Sequence, residues 1–388
     1  MYSCSVLRGC APPRPARHDM DSRDKADPPR IVSINPWASL RAWLDDDGAT
    51  VYFHLGPTGD EEAVFGSLWV RNNGPAPEIA RAVAPVPGER GLQPRRNTRQ
   101  PEGRPLERGQ VLEVLWFEEG DGAALFIDGE LEAVLPPWGG RGEFRGYAAG
   151  ARGRGPYAWE LVLPNPLGAR VARARAHWDA LNHGGLWPLL QAADRAHLEA
   201  RIGPFEAAWA VTPPEEPPRA VASFRTGWEP APLVYSTIGM AAQPMPRIEV
   251  ELEEFLARRR VQVLLASARP GDWIPRLLGE IASYPWRELT WIGDGHVIAA
   301  PGIDADAAPG RFPAVLLLAE PPPTAGRAAP ALAGQRDRTG DPINHLWAFP
   351  ITAAEQALVE REGSQALVER LGAAGLGWVH DAGRADVA

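Results

Sequence analysis

The chain is poor in cysteine. Cys4 and Cys10 are the only two among 388 residues, and both lie in an N-terminal stretch rich in proline and arginine. No disulfide framework and no thiolate metal site can therefore hold the folded part of the chain together. We expect a protein of a reducing compartment, and hence a cytoplasmic one.

Lysine is scarcer still, since Lys25 is the single one and it lies in the same N-terminal stretch. A Walker A lysine, a Schiff-base lysine and a Ser–Lys dyad are thereby excluded. Arginine does not replace them, because its guanidinium stays protonated. The nucleophile motif G-x-S-x-G is missing as well. We therefore predict no enzymatic activity, no cofactor and no metal site.

The sequence also lacks a run of about 18 apolar residues, so we expect no membrane-spanning segment. Its net charge of −9 would repel the phosphates of nucleic acids and the headgroups of anionic membranes. These two features predict neither a nucleic-acid nor a membrane partner.

What the chain does have is apolar residues, turn formers and tryptophan. Hydrophobic residues make up 45% of it, with 40 Gly, 41 Pro and 15 Trp. The glycines and prolines follow no fixed period, which indicates many turns between folded segments. We predict an α+β fold with two domains. The predicted division is a disordered tail (1–29, with Met1 and Met20 as candidate starts), a β-rich domain with an antiparallel meander (30–165), a helical junction (166–186), an α+β domain (187–374) and a tail (375–388).

The meander is predicted from three apolar runs, 111–117, 123–127 and 131–135, the last two joined by the hairpin signal Asp128-Gly129. The first two runs flank the acidic residues Glu118, Glu119 and Asp121. Neighbouring strand residues point to opposite faces, which does not suit a catalytic carboxylate pair. The pattern favours a solvated hairpin turn.

Apolar residues spaced three and four apart predict a helix over 167–181, and a second helix is expected over 188–201. Farther along, 233–240 (LVYSTIGM) is predicted as a strand, and the alternation in 247–253 (RIEVELE) predicts another. A helix capped by Asp272 follows, and then a hairpin turn at Asp294-Gly295.

The last part of the sequence predicts a buried strand over 314–318, a strand over 345–349 and a helix starting with the capping box Thr352-Ala353-Ala354-Glu355. This helix should stop at Gly363, and a short helix should follow it.

Several of these blocks, in this order, resemble the Suppressor of fused domain. They are YSTIGMAAQPMP, RIEVELEEF, the helix ending in SYP, and the ending INHLWAFPITAAEQALVEREGSQALVERL, which together cover roughly residues 187–372. The resemblance implies an α+β fold without a known catalytic centre. The animal member of the family binds transcription factors by accepting a peptide strand between two lobes. Bacterial members have been proposed as immunity proteins against secreted toxins.

Two groups of residues are candidates for partner contacts. The strand 233–240 and its loop could offer a free edge and soft side chains, through Tyr235, Thr237, Met240 and Met245, although a core strand is the favoured interpretation. Asp294 and His296 form the second group. Together with Asp341 and His345 they could form an acid–base or metal site, but the two histidines lack a ligand spacing, which favours turn acids and hydrogen-bonded histidines.

We therefore predict a non-catalytic protein-binding module of the Suppressor of fused type. Its partner would be a protein. The arginine bias and richness in alanine and proline suggest a bacterial gene, and for a bacterial member the resemblance implies a toxin-immunity role. The net negative charge would suit a basic toxin domain as the partner. The alternatives are a hydrolase-type enzyme with a dispersed site and a scaffold or oligomerisation module. The sequence leaves the oligomeric state open.

Overall fold

Three β-sheets and seven α-helices organise the part of the chain that the structure describes. The computed structural model describes residues 31–79, 90–162, 166–229, 231–300 and 310–388. The predicted N-terminal tail, 1–29, lies outside these ranges. The first sheet is an antiparallel meander of four strands: β1 (Ile31–Ile34), β2 (Leu40–Asp46), β3 (Thr50–Pro57) and β4 (Gly66–Asn72).

The second sheet has five strands and contains the predicted meander. Its strands are β5 (Leu112–Trp116), β6 (Ala123–Ile127), β7 (Glu130–Leu135), β8 (Tyr147–Ala148) and β9 (Trp159–Glu160). Asp128 and Gly129 have φ values of 53° and 82°, so both central residues of the β6–β7 turn lie in the left-handed region, as a type I′ turn requires. Side chains from both sheets share one apolar core. With nine strands in these two sheets, the described residues between positions 31 and 160 are β-rich, as predicted.

The third sheet has eight strands, and residues 205–380 supply all of them. They are β10 (Phe205–Ala210), β11 (Ala220–Arg225), β12 (Leu233–Ile238), β13 (Val261–Ser267), β14 (Val297–Ala299), β15 (Ala314–Leu318), β16 (Asn344–Ile351) and β17 (Val379–His380). The order is β10-β11-β12-β13-β16-β15-β14, and β17 also pairs with β13. β13 runs parallel to β16 and β17, and the other pairs are antiparallel.

The helices surround this third sheet and join it to the rest. They are α1 (Pro166–Asn182), α2 (Leu186–Arg201), α3 (Ile248–Glu251), α4 (Phe255–Arg258), α5 (Trp273–Arg287), α6 (Ala353–Glu362) and α7 (Ser364–Ala373). The α5 helix buries its apolar face on β11, β12 and β13. Mixed sheets with separate helices confirm the α+β class, whereas the division into domains stays a prediction.

The strand predicted over 247–253 is wrong, since α3 occupies its centre. Arg247 has a φ of 61°, which ends the extended path, and the Leu252 amide then donates to the Ile248 carbonyl at 2.9 Å. Ile248 and Leu252 are four residues apart, so they share a face of a helical turn as readily as of a strand. The alternating pattern alone could not separate the two structures.

The hairpin predicted around Asp294-Gly295, which would pair residues 290–293 with 296–299, is wrong in its strand pairing. Gly295 does adopt the left-handed turn conformation, with φ of 79°. However, β14 pairs with β15, and residues 290–293 form no strand. The Thr290 amide instead donates to the Pro285 carbonyl at 2.9 Å and closes the end of α5.

The C-terminal segment has the predicted strands and helices, and the residues after them are structured as well. The capping box forms, with the Thr352 hydroxyl accepting from the Glu355 amide and the Glu355 carboxylate accepting from the Thr352 amide. Residues 375–388, predicted as a tail, carry β17 and also Arg384. The Arg384 guanidinium is fully buried and lies 2.6 Å from the Glu355 carboxylate, so this segment completes the third sheet and its α6 layer.

Candidate functional site

The acidic turn after β5 lies against the C-terminal half of the molecule. The turn is closed by the Phe117 amide, which donates to the Gly122 carbonyl at 2.9 Å. The side chains of Glu118 and Glu119 are only 13% and 12% exposed, and Asp121 is 8% exposed. The expectation of a solvated turn is therefore wrong, because α1 and the loop around α3 cover these carboxylates.

Arg170 on α1 connects the turn to the C-terminal half. Its guanidinium lies 2.9 Å from Glu119 and 2.6 Å from Glu249, and it packs over the ring of Phe117. Burial by itself lowers the pKa of Arg170 and raises that of Glu119. The ion pair outweighs burial in both, so the pKa of Arg170 is raised and that of Glu119 is lowered. Both groups are thus charged.

Asp121 is the carboxyl of this turn that has no guanidinium bonded to it. Burial, with help from Glu119, raises its pKa to about 7 against the opposing charge of Arg170. One carboxylate oxygen accepts from the Arg247 amide at 2.6 Å, and the other has no hydrogen-bond partner. Asp121 therefore titrates near neutral pH at the contact between the two halves.

Arg260, at the start of β13, is the second buried guanidinium of the site and is 2% exposed. It lies 2.9 Å from Asp337 and from Asp341, and 3.4 Å from Glu118. It also donates to the carbonyls of Ala241 and Ala242, at 3.1 Å and 2.7 Å. Burial, followed by the charge of Glu119, raises the pKa of Glu118 despite this pairing.

Glu118, Glu119, Arg170 and Arg260 line one cleft of about 410 Å³ between the second sheet, α1 and the loops around α3 and α4. We call it the junction cleft. Its charged lining residues are Glu118, Glu119, Arg170, Arg173, Glu249, Arg259, Arg260 and Asp341. Apolar side chains line the rest, among them Trp138 and Phe255, which are half-buried, and Leu256, which is 54% exposed. The cleft thus combines internally paired charges with an accessible apolar side.

The chemistry open to the junction cleft follows from this pairing. Glu118, Glu119 and Asp341 each have a guanidinium within ion-pair distance, and arginine cannot serve as a proton acceptor. Among the described residues, no group of three His, Cys, Asp or Glu side chains is placed to hold a metal ion. The arrangement suits recognition of a partner's surface.

Four of the six residues predicted to contact a partner are core residues. Tyr235, Thr237, Met240 and Met245 are at most 2% exposed. The prediction of a free edge is wrong for β12, because β11 and β13 pair with its two sides. The favoured interpretation as a core strand is the one the sheet order supports, and a binding role for these four residues stays a prediction.

Asp294 and His296 lie in the turn before β14. Asp294 is exposed and accepts from the Ala319 amide at 2.8 Å, while the ring of His296 packs 4.5 Å from that of Trp291. Burial lowers the pKa of His296, with Asp294 opposing this shift. His345 belongs to a different group, since it bonds to Gln335 and stacks on His197. A partner contact at Asp294 and His296 stays a prediction.

Sequence reasoning missed the arginines of the junction cleft. Arg170 lies between Leu167, Val171 and Ala174 on the buried face of α1. A charged residue inside an apolar helical stripe was the available signal, since such a residue needs a buried partner. Its partners, Glu119 and Glu249, are 51 and 79 positions away, and no local pattern identifies them.

Within the described ranges, no helix combines the length and the apolar character that a membrane crossing requires.

Comparison with known proteins finds a family match in the C-terminal part of the chain. Residues 215–385 match the family model of the Suppressor of fused protein (SUFU), whereas no curated protein matches the chain. One similar solved structure is a putative SUFU homolog from Neisseria gonorrhoeae FA 1090, with 16% identity, 52% of this chain and 98% of that chain covered, and a TM-score of 0.39. Another is a Sufu–Fu complex, with 12% identity, 47% and 83% covered, and a TM-score of 0.34. The family-model match over residues 215–385 confirms the resemblance to the Suppressor of fused domain that the sequence blocks predicted.

Proposed function

We propose that this chain is a non-catalytic protein-binding module that takes up part of its partner in the junction cleft. The Suppressor of fused domain supports this, since the resemblance implies protein recognition without a catalytic centre. The cleft supplies the surface. Its volume of about 410 Å³ lies in the range of sites that enclose a few side chains or a small ligand.

One observation carries the proposal: the buried charges of the cleft pair with one another, while apolar side chains remain accessible beside them. A partner's apolar anchor could pack on Trp138, Phe255 and Leu256 without leaving a buried charge unpaired. Leu256 is more than half exposed although it is a large apolar residue. Burial of this side chain by a partner would contribute favourably to binding.

The finer role we propose is toxin immunity in the cytoplasm of a bacterium, with a basic toxin domain as the partner. The net charge of −9 would favour encounter with a cationic protein and speed association at low salt. Titration calorimetry with a basic toxin domain tests that role. Absence of a complex at micromolar concentrations would argue against immunity while leaving protein binding open.

The use of the cleft is tested by placing a charge on its apolar side. We expect Leu256→Arg to weaken the complex at least tenfold, because it puts a charge where an apolar anchor packs. Leu189→Arg is the matched control, since Leu189 is 65% exposed on α2. Equal affinities of the two variants would show that the partner binds elsewhere.

A hydrolase-type activity is the second candidate, because ionisable groups do converge on one cleft. Glu118 has a raised pKa there, as a general acid requires, and Arg260 lies beside it. Turnover of a hydrolysable substrate that the variant Glu118→Gln abolishes, with folding unchanged, would establish this alternative in place of the binding role.

A further inference from the structure

A small cavity of about 120 Å³ adjoins the junction cleft and shares Glu118, Arg173, Arg260 and Thr339 with it. It lies between α1, the first turns of α2 and the loop 337–339. We call it the His177 cavity, after the imidazole on its α1 side. The volume accommodates a group of only a few non-hydrogen atoms.

His177 lines this cavity, and its imidazole has an unmet hydrogen-bonding capacity. It is 8% exposed, and its Nε2 is buried without a hydrogen-bond partner. Burial lowers its pKa to about 4, and the charges of Arg260 and Arg338 lower it further, with Glu119 opposing them. The ring is therefore neutral at pH 7. A buried ring nitrogen without a partner is costly, so a polar ligand within reach of Nε2 would be favoured.

Some of the arginine side chains that line the cavity have no carboxylate partner among the described residues. Three arginines and two carboxylates line it: Arg173, Arg260, Arg338, Glu118 and Asp337. The two carboxylates are both held by Arg260. Arg173 and Arg338 are exposed, and neither has an ion pair or side-chain hydrogen bond within the part of the chain that the structure describes.

We propose that the His177 cavity binds a small oxyanion, either a carboxylate or a phosphate group, held by the Arg173 and Arg338 guanidinium groups and by an Nε2–H hydrogen bond from His177. Guanidinium groups are well suited to both anions, since each presents several donors to two oxygens. The inference does not depend on protein binding, because the anion could be free in solution.

Binding of an anion should change the titration of His177. The groups facing the ring are Glu118, Glu119 and Asp337 on the acidic side and Arg173, Arg260 and Arg338 on the basic side. A bound anion adds negative charge next to the imidazole and favours its protonated form. The pKa of His177 should therefore rise from about 4 when the cavity is filled.

The experiment is an NMR titration of the histidine ring signals in the full chain at constant ionic strength. Inorganic phosphate and acetate are added in separate titrations, with chloride as the reference. The His177 signal is identified by its loss in His177→Gln. We expect a saturable shift of this signal with at least one of the two anions. Saturation with phosphate alone would identify a phosphate source, and saturation with acetate would admit a carboxylate of another molecule.

Three variants test the named contacts, with calorimetry as the readout. Arg173→Gln, Arg338→Gln and His177→Gln should each weaken anion binding by about tenfold, as expected when one charge-assisted hydrogen bond is removed. Arg201→Gln is the matched control, because Arg201 is an exposed arginine at the end of α2. Circular dichroism checks folding. Absence of a saturable His177 shift with both anions, or equal weakening in the Arg201 control, would overturn the proposal.

Discussion

At the residue scale, buried arginines are what this sequence uses to join distant segments. The side chains of Arg170, Arg260 and Arg384 are each at most 11% exposed, and each pairs with carboxylates supplied by other parts of the chain. A buried ion pair contributes little net stability relative to an apolar pair, but removal of one partner leaves an uncompensated charge. Replacing one of these arginines with an uncharged residue should therefore lower the stability of the protein measurably.

We expect Arg260→Met to destabilise the protein by about 3–5 kcal/mol, because Glu118, Asp337 and Asp341 would lose their shared partner in a buried site. Urea unfolding followed by tryptophan fluorescence measures the change. Arg258→Met is the control, since Arg258 is an exposed arginine in α4, and it should shift stability by about 0.5 kcal/mol or less. Equal effects would contradict the role of the buried network.

Asp121 gives the protein a distinctive pH dependence. Folding raises its pKa from 3.8 to about 7, so between these values the folded state binds more protons than the unfolded state. The stability linked to this carboxyl is fully present below about pH 3.8 and is lost as the pH rises through about 7. Asp121→Asn does not titrate, so its stability relative to the wild type should increase as the pH rises from 4.5 to 7.5.

Urea unfolding at several pH values within this range measures the difference. Asp179→Asn, at an exposed position of α1, is the control and should run parallel to the wild type. A constant difference between Asp121→Asn and the wild type at all pH values would refute the assignment.

At the element scale, helix ends were the features most open to prediction and edge status was the least. The Thr352–Glu355 capping box is encoded in four consecutive residues, so its presence needs no tertiary information. Whether β12 lies at an edge depends on β11 and β13, which the sequence order does not reveal. The short α3 helix shows the same limit, because its alternating apolar residues suit either structure until the packing around Ile248 is known.

The candidate site was even less predictable than the fold. The carboxylates of the 118–121 turn were identified as a group, but their burial depends on Arg170 and on Arg247, which come from two other segments. Long-range charge pairs have no sequence period. Only the resemblance to a known family predicted a protein-binding role.

The capping box can be tested as an element. Thr352→Ala should destabilise the protein by about 1 kcal/mol, since it leaves the Glu355 amide without its acceptor. The Thr352 hydroxyl also bonds to Asp386 at 2.8 Å, which adds to the loss. Ser364→Ala is the control, because α7 begins without a side-chain cap, and thermal unfolding compares the two variants. A smaller effect at Thr352 than at Ser364 would be inconsistent with the capping box.

At the scale of the whole molecule, the charged network connects the second sheet to the segment that matches the Suppressor of fused family model. The Arg170 guanidinium bonds to Glu119 on one side and to Glu249 on the other, and the Arg247 amide bonds to Asp121. The Glu119–Arg170 and Asp121–Arg247 contacts each join a residue before position 122 to one after position 165. The N-terminal and C-terminal halves should therefore unfold cooperatively.

We expect the wild type to unfold in a single calorimetric transition and Arg170→Ala to separate it into two, because the substitution leaves Glu119 and Glu249 without their shared cation. Arg175→Ala on the same helix is the control, since the Arg175–Glu113 pair is about 40% exposed and should matter little. Two transitions already present in the wild type would disprove the coupling.

The placement of β17 and Arg384 has a consequence for biosynthesis. β13 is made more than a hundred residues before the strand that pairs with its Ala266 and Ser267, and Glu355 emerges from the ribosome before the arginine that neutralises it. Until residues 379–384 have been synthesised, the nascent domain therefore has an open sheet edge and an unpaired carboxylate. During that interval the emerging chain is more exposed to misfolding and proteolysis than the finished protein.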